Sequence, residues 1–437
     1  MTCIFIFRLD LLLTDNKSLI QACAKYEKII PIFIYDYHFF TAYHKFFHIQ
    51  ELGLLDLEKT IAEAGGRLMR FYGKPYKVIR YLIKKYKVQA VAYNKDYSVY
   101  SMDRDTRINL ECGGLDIIAC DDVTIYAPAE IKAKYNNKYG TFVQNISVLK
   151  FDVQKNRHKK YTNIKDELEG TLEYAMTENK IKLKMYKAPF IISRAGAIEA
   201  LKKYIIPKTP PESEPRFMED MPEVEITGRD YNISPHLKLG LISAREVMKY
   251  SVLNKLFDLT RNILWREFYF ANWLARQNHY SFYDGRFNNI EWLNDKREAW
   301  AMWAGKTGFP IIDAAMREIN ETGFMWNRAR LFVGFFSVKI LRLHPFGPLG
   351  GQKYFSEHLI DCCYANNTGN WHWVASDTVD ASGMRFGHGF GGRPMNVYKL
   401  TEQDKKYIEK WAPKKCKEIV NFKTRLKEWY EMTSEKN

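Results

Sequence analysis

The chain has 437 residues, more than one hydrophobic core usually holds, and is 46% apolar and 15% aromatic, so it reads as folded, in two domains, and not as disordered. Its 66 lysines and arginines exceed 51 aspartates and glutamates by fifteen, which suits an anionic partner such as nucleic acid and equally suits a lysine- and asparagine-rich coding bias. The seven cysteines are odd in number and lack C-x-x-C spacing, which argues against zinc and a disulfide framework and for a reducing compartment.

In chain order, Cys3–Phe7 has no basic stretch before it and reads as a buried strand, not a signal peptide. Ile29–Tyr35 and Val88–Tyr93 are further short, β-branched or aromatic runs bounded by polar turns. Helix-like stretches at Lys17–Tyr26, Leu55–Ala64 and Tyr76–Tyr86 alternate with them. That alternation predicts a parallel, Rossmann-like α/β domain over residues 1–125. Such sheets bind ligands beyond the carboxyl ends of their strands, here Arg8–Asn16 and Asn94–Arg104.

Over 126–190 the periodicity fades and lysines and asparagines crowd, which reads as a long linker over the surface. From 191 to 437 the pattern is all-α. Ser243-Ala244-Arg245-Glu246 predicts a capping box, and an amphipathic run follows from Leu253 to Ala275. Pro310 suits the first position of a helix over Ile311–Asn320 with Gly323 as its stop, and Arg328–Leu343 is the next helix. No apolar run is long enough to span a bilayer.

The most informative stretch is Phe324 to Trp373. Arg330 and Asp361 sit in segments otherwise apolar enough to be core, where an unpaired charge is costly, so each needs the other or a ligand, and both readings stay open. Cys362-Cys363 reads as packing, because adjacent cysteines on a helix point apart. Gly387-His388-Gly389-Phe390-Gly391-Gly392 matches a dinucleotide string but lies in a loop-like region, where the match means little.

Those segments together resemble the photolyase/cryptochrome superfamily along nearly the whole chain. The family's amino-terminal motif is matched by Phe7-Arg8-Leu9-Asp10-Leu11-Leu12-Leu13-Thr14-Asp15-Asn16, lacking one arginine. Asn94-Lys95-Asp96-Tyr97, Ser234-Pro235-His236-Leu237-Lys238-Leu239-Gly240, Trp265-Arg266-Glu267-Phe268 and Lys306-Thr307-Gly308-Phe309-Pro310-Ile311-Ile312-Asp313 follow in the family's order, as does Phe324 to Trp373 itself. The chain is most similar to class I photolyases of cyclobutane pyrimidine dimers, as a divergent member.

The resemblance implies an antenna domain, a linker and a helical domain holding FAD, and repair of UV-damaged DNA by an electron from excited reduced flavin. A light-signalling cryptochrome without repair is the alternative. It implies flavin contacts from Asp230, Tyr231, Asn232, Ile233, Ser234, Arg330, Asp361, Cys362, Cys363 and Asn367, the last facing flavin N5. It places Trp265 and Trp373 beside the flipped lesion, with Asn262, Arg266, Asn327, Arg328 and Arg385 on lesion or DNA. An asparagine at 327 favours cyclobutane dimers. The implied protein is an intracellular monomer, cytoplasmic or nuclear wherever DNA is. Whether a second, antenna chromophore such as a folate or a deazaflavin is present stays open.

The departures are as specific. Asn262 replaces a lesion-binding glutamate, Asp230 and Tyr231 replace hydroxyls that bind the flavin phosphates, and Cys363 replaces a second flavin-contacting aspartate. In the family's electron relay Trp292 and Trp371 match the outer and inner tryptophans, but Pro348 stands at the middle position. Photoreduction is therefore expected to be slow or to detour through Trp300, Trp303 or Tyr354.

Overall fold

The computed structural model describes residues 1–36, 44–128, 151–156, 160–166, 169, 186–204, 233–275, 290–375, 397–412, 414 and 416–434. By packing, the chain divides into two units: Met1–Ala133, Ile146–Tyr204 and Tyr231–Leu274 form one, and Lys134–Asn145, Ile205–Asp230 and Ala275–Asn437 the other.

The first unit is built on five parallel strands, β1 (Thr2–Phe7), β2 (Lys28–Tyr35), β3 (Met69–Tyr72), β4 (Ala90–Asn94) and β5 (Asp116–Cys120), in the order β3-β2-β1-β4-β5. Cys3 pairs with Ile29 on one side and with Ala90 on the other. The crossovers are helical: α1 (Lys17–Lys25), α2 (His44–Glu63), α3 (Pro75–Tyr86) and α4 (Val99–Glu111). Because both faces are covered, β1 and β4 are apolar except at Thr2 and Asn94, and they are buried except at the half-buried Thr2. The expected strands are met by β1, β2 and β4. The strand β3 is too short to stand out in the sequence, and β5 is a half-buried edge strand.

The strand order reverses between β1 and β4, the place where such sheets open a ligand crevice. Polar groups of the chain knit that place together. Asn94 donates from Nδ2 to Asp10 Oδ2 at 2.7 Å and to Asn16 Oδ1 at 2.8 Å, and the Arg8 amide donates to Asp10 Oδ1 at 2.7 Å. Asn16 also caps α1, accepting from Leu19 N. Next to it, an open cleft is lined by Arg8, Tyr35, Asp36, Gln50, Asp96 and Arg104 among others.

Burial lifts the Asp10 carboxyl to about 6, more than its hydrogen bonds lower it. A carboxyl raised on folding favours the folded state most below its unfolded value near 3.8 and loses that contribution as pH rises through about 6. Asp10→Asn is therefore expected to flatten the fall in stability between those values, read as urea midpoints across the range. An unchanged pH profile would remove Asp10 as its source.

Four further helices complete this unit: α5 (Arg194–Lys202), α6 (Ile233–Leu239), α7 (Ala244–Leu253) and α8 (Phe257–Ala275). The capping box expected at Ser243 is present, with Ser243 Oγ accepting from Glu246 N and the Glu246 carboxylate accepting from Ser243 N. Gly240 ends α6 at φ +65°, and a Cβ there would lie 2.4 Å from the Leu9 carbonyl, so the chain after β1 can lie against it only because no side chain intervenes. Arg245 reaches from α7 into the sheet layer and bonds Asp15 at 2.9 Å and Asp122 at 2.6 Å, all three side chains being buried.

The second unit is all-α: α9 (Lys296–Trp303), α10 (Pro310–Thr322), α11 (Asn327–Phe335), α12 (Gly351–His358), α13 (Tyr364–Val374), α14 (Glu402–Trp411) and α15 (Phe422–Ser434). Pro310 is the first residue of α10 and Gly323 its left-handed stop, as the sequence predicts. Asp313 ties the approach to this helix by accepting from Thr307 N, Thr307 Oγ1 and Gly308 N. The expected helix over Arg328–Leu343 differs in two respects: past Phe335 it widens into a π turn, Phe336–Ile340, and it stops there, with Leu341 as C-cap and Arg342 at φ +49°. Phe309, Met316, Phe332, Phe336 and Trp371 belong to one core beneath these helices.

Among the described residues, no helix is long and apolar enough to cross a membrane, and no cluster of three or more His, Cys, Asp or Glu side chains is arranged to hold a metal.

Candidate active site

The site residues of the second unit are set by two helices and one turn. Helix α11 starts immediately after Trp326, so Arg330 lies one turn in, on the side of the Leu359–Cys363 turn. Its Nη2 donates to Asp361 Oδ2 at 2.7 Å and its Nε to the Met325 carbonyl at 2.6 Å, while the Phe324 ring lies 5.6 Å from its guanidinium carbon. The Asp361 side chain is 1% exposed and that of Arg330 24%. The two charges anticipated as partners in the sequence are therefore paired, with the carboxylate buried and the guanidinium keeping a solvent-facing side.

Asp361 leads into α13, whose N-cap is Cys363, a cap without a side-chain hydrogen bond. One turn on, Asn367 is 8% exposed and its Nδ2 donates to the Gln352 carbonyl at 2.8 Å and to Ser356 Oγ at 3.0 Å. The Gln352 carbonyl can only accept, which fixes the amide nitrogen on that side and turns the amide oxygen the other way. Neither Gln352 nor Ser356 stands out in the sequence, because polar residues four apart on a short helix look like a solvent face. Both belong to α12, which packs against α13.

Trp371 is 3% exposed, and its ring meets Gly351 so closely that a Cβ there would sit 2.0 Å from Cη2. Trp373 is half-buried against the same core. At the start of α11, Asn327 is exposed and Arg328 half-buried, its guanidinium 5.8 Å from the Phe332 ring. Cys362 and Cys363 are half-buried thiols, in no disulfide among the described residues. Trp292 is packed against His344 at 5.1 Å and Trp429 at 6.4 Å.

In the first unit, α8 carries Asn262, Trp265 and Arg266. Asn262 is exposed and Trp265 half-buried, edge-on to Phe268 at 5.5 Å. The Arg266 guanidinium is engaged within its own unit, donating to the Val123 carbonyl at 2.7 Å and to Glu267 at 2.8 Å. Ile233 and Ser234 open α6, Ile233 buried and Ser234 half-buried. Asp230, Tyr231, Asn232, Arg385 and the Gly387–Gly392 string lie outside the described residues.

Comparison with known proteins accounts for this arrangement. Residues 3–161 match the family model of DNA photolyase, and residues 259–436 that of the FAD binding domain of DNA photolyase. A deoxyribodipyrimidine photo-lyase of Buchnera aphidicola is 28% identical over 99% of this chain and 91% of its own length. An archaeal photolyase from Sulfolobus tokodaii, whose crystal structure holds two FAD molecules, superposes with a TM-score of 0.80 at 26% identity over the full length of both chains. A Synechocystis cryptochrome shares the fold, at a TM-score of 0.79 and 21% identity over 99% of both chains.

The cofactor is FAD, and the residues present fit it. Asn366 Oδ1 is a buried acceptor without a hydrogen-bond partner among the described residues, a group that a flavin imide N–H or a ribityl hydroxyl would satisfy. Arg330 supplies a fixed positive charge and Asn367 an amide of defined orientation, the donor and acceptor types that a flavin ring asks for. With a five-stranded parallel domain, a helical FAD-binding region and matches to both family models, the chain belongs to the photolyase/cryptochrome superfamily.

Proposed function

We propose that this chain is a light-dependent DNA lyase that splits cyclobutane pyrimidine dimers. FAD, when bound, supplies the light absorption and the transferable electron. The chain's own residues do the rest. The Arg330 guanidinium, fixed by Asp361 and the Met325 carbonyl, stabilises negative charge on a reduced ring. Asn367 presents its amide oxygen as an acceptor for a protonated ring nitrogen. That clamped amide is the observation that carries the reading.

Trp265 and Trp373 offer flat faces to an extruded dimer, and Arg328 a charge to the backbone beside it. Asn262 replaces a charge-assisted contact by a neutral one, which weakens the grip on the lesion without abolishing hydrogen bonding. The net charge of +15 suits phosphate contacts. We place an antenna chromophore, where one binds, in the cleft beside Arg8, Tyr35 and Arg104, beyond the carboxyl ends of β1 and β2.

A light-signalling flavoprotein without repair is the second reading, favoured by Asn262 and by Pro348 at a relay position. The deciding experiment is repair of a thymine-dimer oligonucleotide under blue light, with the flavin chemically reduced beforehand. Light-dependent loss of the dimer is expected. A protein holding reduced FAD that leaves the dimer intact would reject the lyase and favour signalling.

A further inference from the structure

We propose that Trp303 carries electrons between Trp371 and the surface, in the place left by Pro348. The inference rests on the reading of the chain as a light-driven flavoprotein.

Two indoles meet one short piece of backbone. Trp303 Nε1 donates to the Leu349 carbonyl at 3.1 Å, immediately beside Pro348, and the Trp371 ring lies on Gly351. Leu349 and Gly351 are two residues apart, so their Cα atoms are at most about 7 Å from each other. Trp303 also stacks on Tyr354, with ring centroids 4.7 Å apart and 15° between planes, and Tyr354 follows Gly351 by one turn of α12. Phe355 stands edge-on to Trp371 at 5.2 Å.

The exit lies one turn back along α9. Trp300 and Trp303 are three residues apart on one helix, hence neighbours, and Trp300 is 63% exposed. The set Trp371, Trp303, Trp300 thus leads from a buried ring to solvent within one unit.

Between Trp303 and Tyr354 the proton decides which is oxidised. A phenol must shed its proton to be oxidised readily, and among the described residues the Tyr354 hydroxyl donates to the Trp303 carbonyl and Asn320 Oδ1, neither of them a base. Burial also raises the Tyr354 hydroxyl to about 12. An indole gives up an electron while keeping its N–H, and that of Trp303 stays bonded to Leu349.

The sequence of hops balances. With FAD bound and illuminated, Trp371 would give up one electron to it, Trp303 would give one to the Trp371 radical cation, and Trp300 one to the Trp303 radical cation. The Lys306 ammonium, 4.9 Å from the Trp300 ring centroid, disfavours positive charge there, so the indole proton passes to water. A thiol in solution then returns one hydrogen atom to Trp300 and is left as a thiyl radical.

The test is light-driven reduction of bound FAD in the presence of a thiol, followed by loss of the flavin's visible absorption. Trp303→Phe is expected to slow it roughly tenfold or more, while Trp411→Phe, on α14, keeps the wild-type rate. A Trp303→Phe protein that holds FAD and is reduced at the wild-type rate overturns the proposal.

If Trp303→Phe does not retain FAD, Trp300→Phe replaces it, since an exposed ring can be removed without disturbing packing. Slower reduction and a shorter-lived tryptophan radical in transient absorption support the relay, and unchanged kinetics overturn it. Dimer repair by chemically reduced protein is a separate readout: its failure with the relay intact rejects the lyase reading alone.

Discussion

Arg330→Ala is expected to lower the free energy of unfolding by roughly 3–5 kcal/mol and to give a protein that purifies without its yellow flavin. The loss follows from burial: the Asp361 side chain is 1% exposed and accepts from Arg330 Nη2 at 2.7 Å, so deleting the guanidinium strands a carboxylate in the core. The same variant removes the fixed positive charge from the flavin's surroundings, so stability is measured on flavin-free protein by urea denaturation and cofactor retention by absorbance. A double-mutant cycle separates the two roles. Arg330→Ala/Asp361→Ala removes the stranded charge and is expected to regain part of the stability while staying colourless. A double variant that regains its flavin as well would show that the pair is structural and does not hold the cofactor.

Arg245→Ala should be at least as damaging to the first unit. The guanidinium is 1% exposed and joins two carboxylates, Asp15 at 0% and Asp122 at 8%, and also donates to the carbonyls of Asp15, Asp122 and Thr124. Without it the fold must bury both carboxylates on their remaining donors, Ser243 Oγ and Gln154 N for Asp15 and Lys17 N for Asp122, at a cost of roughly 3–5 kcal/mol. Burial already raises the Asp122 carboxyl while Arg245 and, after it, the Lys17 amide and ammonium lower it, so in the variant the upward cause is opposed by Lys17 alone. A folded carboxyl raised above its unfolded value loses its contribution as pH rises, so the defect should be milder near about pH 5 than near about pH 8. Urea midpoints at the two values measure this, and a defect independent of pH would exclude the carboxylates as its cause. Arg245→Lys is expected to rescue little, because one ammonium cannot span acceptors arranged around a planar fork.

The sequence makes the parallel sheet legible where strands are continuous apolar runs, as in β1 and β2, because only burial on both faces gives that pattern. It hides β3, which has four residues, and the half-buried β5, because both fall below the length or contrast that a pattern needs. The π turn at Phe336–Ile340 is hidden for another reason. Phe335-Phe336-Ser337-Val338-Lys339-Ile340 contains neither proline nor glycine, so nothing local marks a change of helical pitch.

Within the site, pairing of Arg330 with Asp361 follows from the cost of burying charge, whatever the fold. The grip of Gln352 and Ser356 on Asn367 follows only from how α12 lies against α13. The Arg245 cluster joins residues 230 positions apart: Asp15 lies in the amino-terminal motif and Arg245 inside the capping box, but neither motif points to the other.

The contact between Gly351 and Trp371 constrains the order in which the two positions can change over generations. Any side chain at 351 brings a Cβ to 2.0, 2.2 and 2.8 Å from Cη2, Cζ2 and Cζ3 of the indole, closer than packed atoms can come. The glycine cannot be replaced while the tryptophan remains unless one of the two helices shifts. A lineage that first exchanges Trp371 for a smaller residue opens a cavity, and only then does alanine at 351 become a gain in packing. Exchange at the ring has to come first, so a substitution at 351 in a relative would record that the inner tryptophan had already been given up.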